Sequence, residues 1–203
     1  MTHIYTRFIL ADEINKELNQ AFIRRVIESG GTIIFPTETV YGIGGDALNP
    51  KAVKAIYEAK GRPSDNPLIL HISKKNDVYK YAKNISVHAL RLMRVFWPGP
   101  LTLIFEKKDI VPKETTGGLN TVAIRYPNHP VAKKIIRIAN TPLAAPSANI
   151  SGKPSSTTFK HVCADLDGRV NIIIDGGDSP IGIESTVVDM TTKVPVILRP
   201  GFI

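Results

Sequence analysis

Short β-branched runs alternate with stretches of helical period along most of this chain, and that alternation restricts its fold more than any other feature. A strand repeats its face every two residues and a helix every ~3.6, so the two patterns demand interleaved elements. Ile14, Leu18, Phe22 and Val26 recur at every fourth position after Asp12, an N-cap type, and predict a first helix ended by Gly30-Gly31. Asn49-Pro50 is a cap-plus-first-turn signal ahead of the apolar stripe Val53, Ile56 and Tyr57, and Gly61 suits the left-handed residue after that helix. Further helices are expected over 86–96, from Pro130 with Val131, Ile135 and Ile138 on one face, and over 159–166. Strands are expected over 32–35, 68–72, 101–105, 121–125, 143–145, 172–175, 185–189 and 196–198. This order predicts the α/β class: one open, twisted, mixed sheet with packed helices, in a single domain over residues 1–203.

The chain is 43% hydrophobic and 22% charged, enough to bury a core while staying soluble. Cys163 is its one cysteine, which excludes an intrachain disulfide and a zinc site built from several thiolates. It reads as a small core residue. No apolar run approaches the roughly 18 residues of a membrane span. The opening Met1-Thr2-His3-Ile4-Tyr5 also lacks the charged and apolar regions of an export signal, so a cytoplasmic setting without membrane contact is expected. The net charge of +8 favours anionic partners such as nucleotides, pyrophosphate or RNA. The cations are spread along the chain rather than gathered in a tail.

The common nucleotide signatures are absent. Ser151-Gly152-Lys153-Pro154 has proline where a P-loop needs its hydroxyl, and Gly42-Ile43-Gly44-Gly45 lacks the third glycine of the dinucleotide fingerprint. Four other segments carry chemistry. Pro36-Thr37-Glu38-Thr39-Val40-Tyr41-Gly42 follows an apolar strand with hydroxyls and glycines, which suits a binding loop, although two threonines alone would suit a turn. Lys60-Gly61-Arg62-Pro63 places two cations just beyond a helix, where capping competes with phosphate or carboxylate binding. Asn66-Pro67-Leu68 follows, and His71 closes that stretch.

Ala145-Pro146-Ser147-Ala148-Asn149 lies at a strand end, the usual ligand position in an open α/β sheet, and an Asx/Ser turn is the competing reading. Glu184-Ser185-Thr186-Val187-Val188-Asp189 alternates as a strand, with Glu184 and Ser185 on opposite faces. Arg199 ends the last strand before Pro200-Gly201, placed to meet an anion or simply solvent.

In this order, the segments Pro-Thr-Glu-Thr-Val-Tyr-Gly, Lys-x-Arg-Pro with Asn-Pro-Leu, Pro-Gly-Pro-Leu-Thr, Pro-Ser-Ala-Asn and Ser-Thr-Val-Val-Asp resemble the YrdC/TsaC family of L-threonylcarbamoyladenylate synthases. The resemblance runs from about Gly30 to Gly201. It implies a YrdC-like open sheet with a positively lined cleft. It also implies an enzyme, a nucleotidyltransferase that joins L-threonine and bicarbonate as a carbamate to the α-phosphate of ATP and expels pyrophosphate. The product would pass to a TsaD/Kae-type threonylcarbamoyl transferase complex that modifies tRNA.

Carried over by motif, Thr39, His71, Arg125 and Ser185 hold the threonine, with backbone contacts from Ala145. Lys60, Arg62, Asn66, Thr121, Ser147, Asn149, Ser155 and Arg199 surround ATP, with Lys60 and Arg62 as the catalytic cations. A magnesium ion is expected with the nucleotide, but no carboxylate pair declares a dedicated metal site. Longer family members continue into a second domain after a similar Leu-Arg-Pro-Gly, whereas this chain stops at Ile203, as a short form or a truncated one.

Two other readings compete. One is a carbamoyl-adenylate former of the hydrogenase-maturation type, which would use carbamoyl phosphate in place of threonine. The other is a non-catalytic module whose basic surface contacts tRNA or double-stranded RNA through phosphates. A threonine-sized pocket separates the first reading from the last.

Overall fold

The computed structural model describes residues 4–203, and Met1 to His3 of the expected domain lie outside the described residues. The chain opens with β1 (Arg7–Leu10), a 3-10 turn over Ala11–Asn15 and α1 (Glu17–Glu28). It continues through β2 (Ile33–Phe35), β3 (Gly42–Asp46), α2 (Pro50–Lys60), β4 (Ile69–His71), α3 (Val78–Tyr81), β5 (Ala82–Lys83) and α4 (Val87–Phe96). Next come β6 (Leu101–Lys107), β7 (Thr121–Arg125), α5 (Pro130–Ala139), β8 (Leu143–Ala144) and α6 (Phe159–Leu166). Finally β9 (Ile172–Asp175), β10 (Thr186–Asp189) and β11 (Val196–Arg199) complete the sheet.

The eleven strands of the described residues join one open mixed sheet in the order β1-β9-β2-β3-β8-β4-β7-β6-β10-β11, with β5 beside β6. Strand alternation sends side chains to two cores. Ile33, Phe35, Ile172 and Ile174 pack with Ile23 and Ile27 of α1 and Ile135 of α5. Ile34 and Ile173, one residue out of phase, pack instead with Val53 and Ile56 of α2, Met93 of α4 and Val162 of α6. Helices therefore cover both faces, and each fully buried branched side chain contributes about 1.5–3 kcal/mol.

Local signals fix the helix ends. Asn49 caps α2 by accepting from the Lys51 amide at 3.0 Å, and Gly61 stops it at φ 61°. Ser86 caps α4 through the Ala89 amide at 3.2 Å. The first helix departs from expectation. Asp12 lies inside the 3-10 turn, and extended Lys16 separates that turn from α1. A four-residue repeat counted from Ile14 thus crosses a break, which leaves Leu18 exposed and gives the buried stripe to Ile23, Val26 and Ile27. Among the described residues no helix is long and apolar enough to cross a membrane.

Candidate active site

Strand direction assembles the site. β4 and β7 run parallel and finish side by side, which makes His71 and Arg125 register partners. β6 is antiparallel to β7, so Thr102 near its start lies opposite Arg125. β10 is parallel to β6 and brings Ser185, the residue before it, next to Thr102, with the two hydroxyls 2.8 Å apart. The loop after β2 crosses these ends, and the Thr39 hydroxyl accepts from Arg125 Nη1 at 3.0 Å.

These groups enclose a cavity of about 170 Å³. Five of its lining residues are the predicted threonine set: Thr39, His71, Arg125, Ala145 and Ser185. Three more, Arg62, Ser147 and Arg199, come from the predicted nucleotide set.

Hydrogen-bond direction gives the cavity a polarity. Thr37 Oγ1 donates to the Val40 carbonyl at 2.6 Å, so it accepts from Thr39 Oγ1 at 2.9 Å. Thr39 therefore spends its only hydrogen on Thr37 and keeps an acceptor lone pair beyond its bond from Arg125. His71 Nδ1 lies 3.2 Å from the Ile69 carbonyl. A carbonyl only accepts, so Nδ1 carries the hydrogen and Nε2 is left as an acceptor. Burial, then the charge of Arg125, push the His71 pKa down to about 3, which keeps the ring neutral.

The cations are held differently. Arg125 Nη2 sits 2.8 Å from Glu38 Oε1, both side chains being buried. Neither Glu38 oxygen nor Arg125 Nη2 makes an aligned hydrogen bond, so the contact is an ion pair alone. Arg199 Nη1 lies 2.6 Å from Glu184 Oε2, and its Nη2 donates to the Ser185 carbonyl at 2.8 Å and to Ser185 Oγ at 3.1 Å. Half-buried Arg62 lines the same cavity without an ion-pair partner among the described residues.

A family model, Sua5_yciO_yrdC, described as telomere recombination, matches residues 25–201. The chain belongs to the Sua5/YciO/YrdC family. The threonylcarbamoyl-AMP synthase of Pyrococcus abyssi is 55% identical over 175 residues, which are 86% of this chain and 52% of that protein. The Bacillus subtilis protein of the same name is 52% identical over 87% of this chain and 51% of its own length. The chain thus spans about half the length of these curated relatives, 52% and 51%. The crystal structure of P. abyssi Sua5 complexed with L-threonine superposes with a TM-score of 0.89 at 49% identity, covering 98% of this chain and 57% of that one.

Five predicted residues do not line the cavity of this Sua5/YciO/YrdC domain. The Lys60 ammonium was expected on phosphate, but it is buried and donates to the carbonyls of Ser147 at 2.5 Å and Asn149 at 2.8 Å. Burial, then neighbouring Arg62, lower its pKa to about 8. Lys60 therefore ties down the strap that presents Ser147. The Asn149 amide is turned inward, donating to Ile150 and Lys153 carbonyls at 2.9 and 2.7 Å. Ser155 donates to Glu184 Oε1 at 2.8 Å.

Asn66 is exposed, with its amide on Asp65 Oδ1 at 3.1 Å and its carbonyl on the Tyr57 hydroxyl. Thr121 begins β7 opposite Glu106, at the far end of the strand from Arg125. The separation is roughly 13 Å at about 3.3 Å per residue.

The expected alternation of Glu184 and Ser185 is also corrected. β10 starts only at Thr186, and in the irregular approach to it both side chains line the cavity. Sequence reasoning missed Glu184, the one carboxylate among the lining residues, because a regular strand was extended over it. It also missed Glu38 behind Arg125 and Tyr41. The Tyr41 hydroxyl is committed to the Gly177 carbonyl at 2.6 Å, and burial raises its pKa to about 12.

Proposed function

We propose that this chain forms threonylcarbamoyl-AMP and pyrophosphate from L-threonine, bicarbonate and ATP, for N6-threonylcarbamoyladenosine modification of tRNA. One observation carries the reading: Arg125 shares a small cavity with two fixed acceptors, Thr39 Oγ1 and His71 Nε2, while Arg62 and Arg199 line the same space. A guanidinium suits the amino-acid carboxylate, and the acceptors suit its N–H and hydroxyl hydrogens. Ser185 and the Ala145 backbone complete this half. The P. abyssi relative solved with L-threonine supports the same ligand.

The proposed chemistry needs alignment more than covalent help. The ammonium of threonine and bicarbonate give a carbamate, one water and one proton. A carbamate oxygen then attacks the α-phosphorus, and the bond to the β-phosphate oxygen breaks to release pyrophosphate. Arg62 and Arg199 offset the charge that collects on the departing phosphates, with Ser147 beside them. His71, with a pKa near 3, serves as a hydrogen-bond acceptor and is too weak a base to take the amine proton. That proton leaves to solvent.

The residues present do not fit a protein-held magnesium ion. Among the described residues no three His, Cys, Asp or Glu side chains gather as a metal site, and Glu184 is engaged by Ser155 and Arg199. We assign magnesium only to the nucleotide that carries it. The product is an activated acyl donor, for transfer in the cytoplasm by a TsaD/Kae-type complex. A net charge of +8 is consistent with a tRNA or double-stranded RNA contact at that stage.

The test is pyrophosphate release with each component omitted in turn. Release that requires threonine, bicarbonate and ATP together is expected. Adenylate formation independent of threonine, or supported by carbamoyl phosphate, overturns the assignment.

A further inference from the structure

Glu184 is the only carboxylate lining the cavity among the described residues, and it is held in place from both sides. Ser155 Oγ donates to its Oε1 at 2.8 Å, and Arg199 Nη1 lies 2.6 Å from its Oε2. The pair is partly exposed, with 36% and 40% of the two side chains accessible, so an incoming anion reaches it. Phe202 donates its amide to the Glu184 carbonyl at 3.1 Å, which fixes the backbone from which the carboxylate projects. Arg199 therefore carries a tethered anion before any ligand arrives, whereas Arg62 carries none among the described residues.

We propose that Glu184 is a specificity-determining residue, a built-in competing anion that leaves Arg199 to be occupied only by an anion that also engages Arg62. This rests on the reading of Arg62 and Arg199 as the phosphate side of the site. A free orthophosphate at Arg199 must displace Glu184 and gains only what the carboxylate already supplied. A pyrophosphate or nucleotide triphosphate also engages Arg62, so its second phosphate offsets the cost of separating Glu184 from Arg199. Because the pair is accessible, its strength is modest and salt-sensitive, as suits a contact that must open in each turnover. The same carboxylate, on returning to Arg199, competes with departing pyrophosphate and favours its release.

Calorimetric titration with orthophosphate, pyrophosphate and ATP tests this on the wild type, on Glu184→Gln and on Glu184→Gln in an Arg199→Gln background. Glu184→Gln keeps a hydrogen-bond acceptor for Ser155 but removes the charge. It is expected to bind pyrophosphate roughly fivefold tighter at low salt and to admit orthophosphate at Arg199. The gain should disappear with Arg199→Gln. Tighter binding is not a consequence of a damaged fold, and Glu184→Asp, which withdraws the charge by one methylene, gives the same change in smaller degree if the amide variant does not fold. Unchanged affinity for both anions in folded Glu184 variants overturns the proposal while leaving the nucleotide site standing. A wild-type protein that binds neither pyrophosphate nor ATP overturns the nucleotide reading itself.

Discussion

Arg125 and Glu38 meet as a buried ion pair, 2.8 Å apart, of which only Arg125 lines the cavity. Glu38 is thus the counter-ion behind a guanidinium whose other amine group is fixed to Thr39 at 3.0 Å. Removing one partner of such a pair strands the other charge in the protein, at a typical cost of about 3–5 kcal/mol. Arg125→Met and Glu38→Gln should each lower the urea midpoint strongly. The double variant should be less damaged than the sum, by ~1–3 kcal/mol of coupling. Additive losses in that cycle would show that the two side chains act independently. Threonine binding should vanish in Arg125→Met and survive, weakened, in Glu38→Gln.

His71 supplies a pH dependence of known sign. Its folded pKa, about 3, lies below the ordinary histidine value, so between those limits the unfolded chain binds a proton that the folded chain refuses. Stability from this group is complete above about pH 6.5 and is lost as pH falls toward 3, on the order of 3 kcal/mol by pH 4. Urea unfolding of the wild type and of His71→Asn across pH 4–7 measures it, as pH limits set by those values. The variant should show the shallower slope. Equal slopes would mean that His71 is protonated in the folded protein.

Much of this arrangement was legible in the chain because local signals and tertiary demand agreed. The Asn49 cap, the helix that follows Ser86, the strand at Thr121–Arg125 and the helix that starts at Pro130 follow from spacing alone. β3 was not legible. Gly42 to Asp46 has no alternation of its own, and pairing to β2 on one side and β8 on the other makes it a strand. The site divides the same way. Residues at strand ends, His71, Arg125 and Ser185, reach the cavity because the sheet fixes their direction. Lys60 and Asn149 turn inward because the strap 146–153 has backbone carbonyls to satisfy, a need that no sequence spacing records.

That inward turn separates the two members of the Lys-x-Arg motif. Lys60→Met removes the donor from the part-buried Ser147 carbonyl and leaves the Asn149 carbonyl buried without it. It should loosen the strap, raise the KM for threonine and ATP together, and make residues 146–153 more susceptible to proteolysis. Arg62→Ala removes a cavity cation that supports nothing else among the described contacts. It should raise the KM for ATP and lower kcat by about a hundredfold, with threonine binding and melting temperature retained. Matching effects from the two variants would mean that Lys60 also reaches the nucleotide.

Gly201 closes the wall that carries Glu184 and Ser185. A Cβ at this position would lie 2.4 Å from the Glu184 carbonyl oxygen and 2.5 Å from Ser185 C and Thr186 N. All three are backbone atoms, so no rotamer change relieves the clash. The segment beyond is docked by Thr186 Oγ1, which accepts from the Gly201 and Ile203 amides at 3.1 Å and donates to the Ile203 carbonyl at 2.6 Å. Gly201→Ala should lift this segment and with it Arg199, at ~1–3 kcal/mol of stability. Arg199 moves while Arg125 does not, so the KM for ATP should rise several-fold more than the KM for threonine. Thr186→Val, which removes the docking hydroxyl at similar volume, should reproduce that split more weakly. A Gly201→Ala protein with wild-type melting and an unaltered KM for ATP would show that Arg199 is placed by β11 alone, without the segment that follows it.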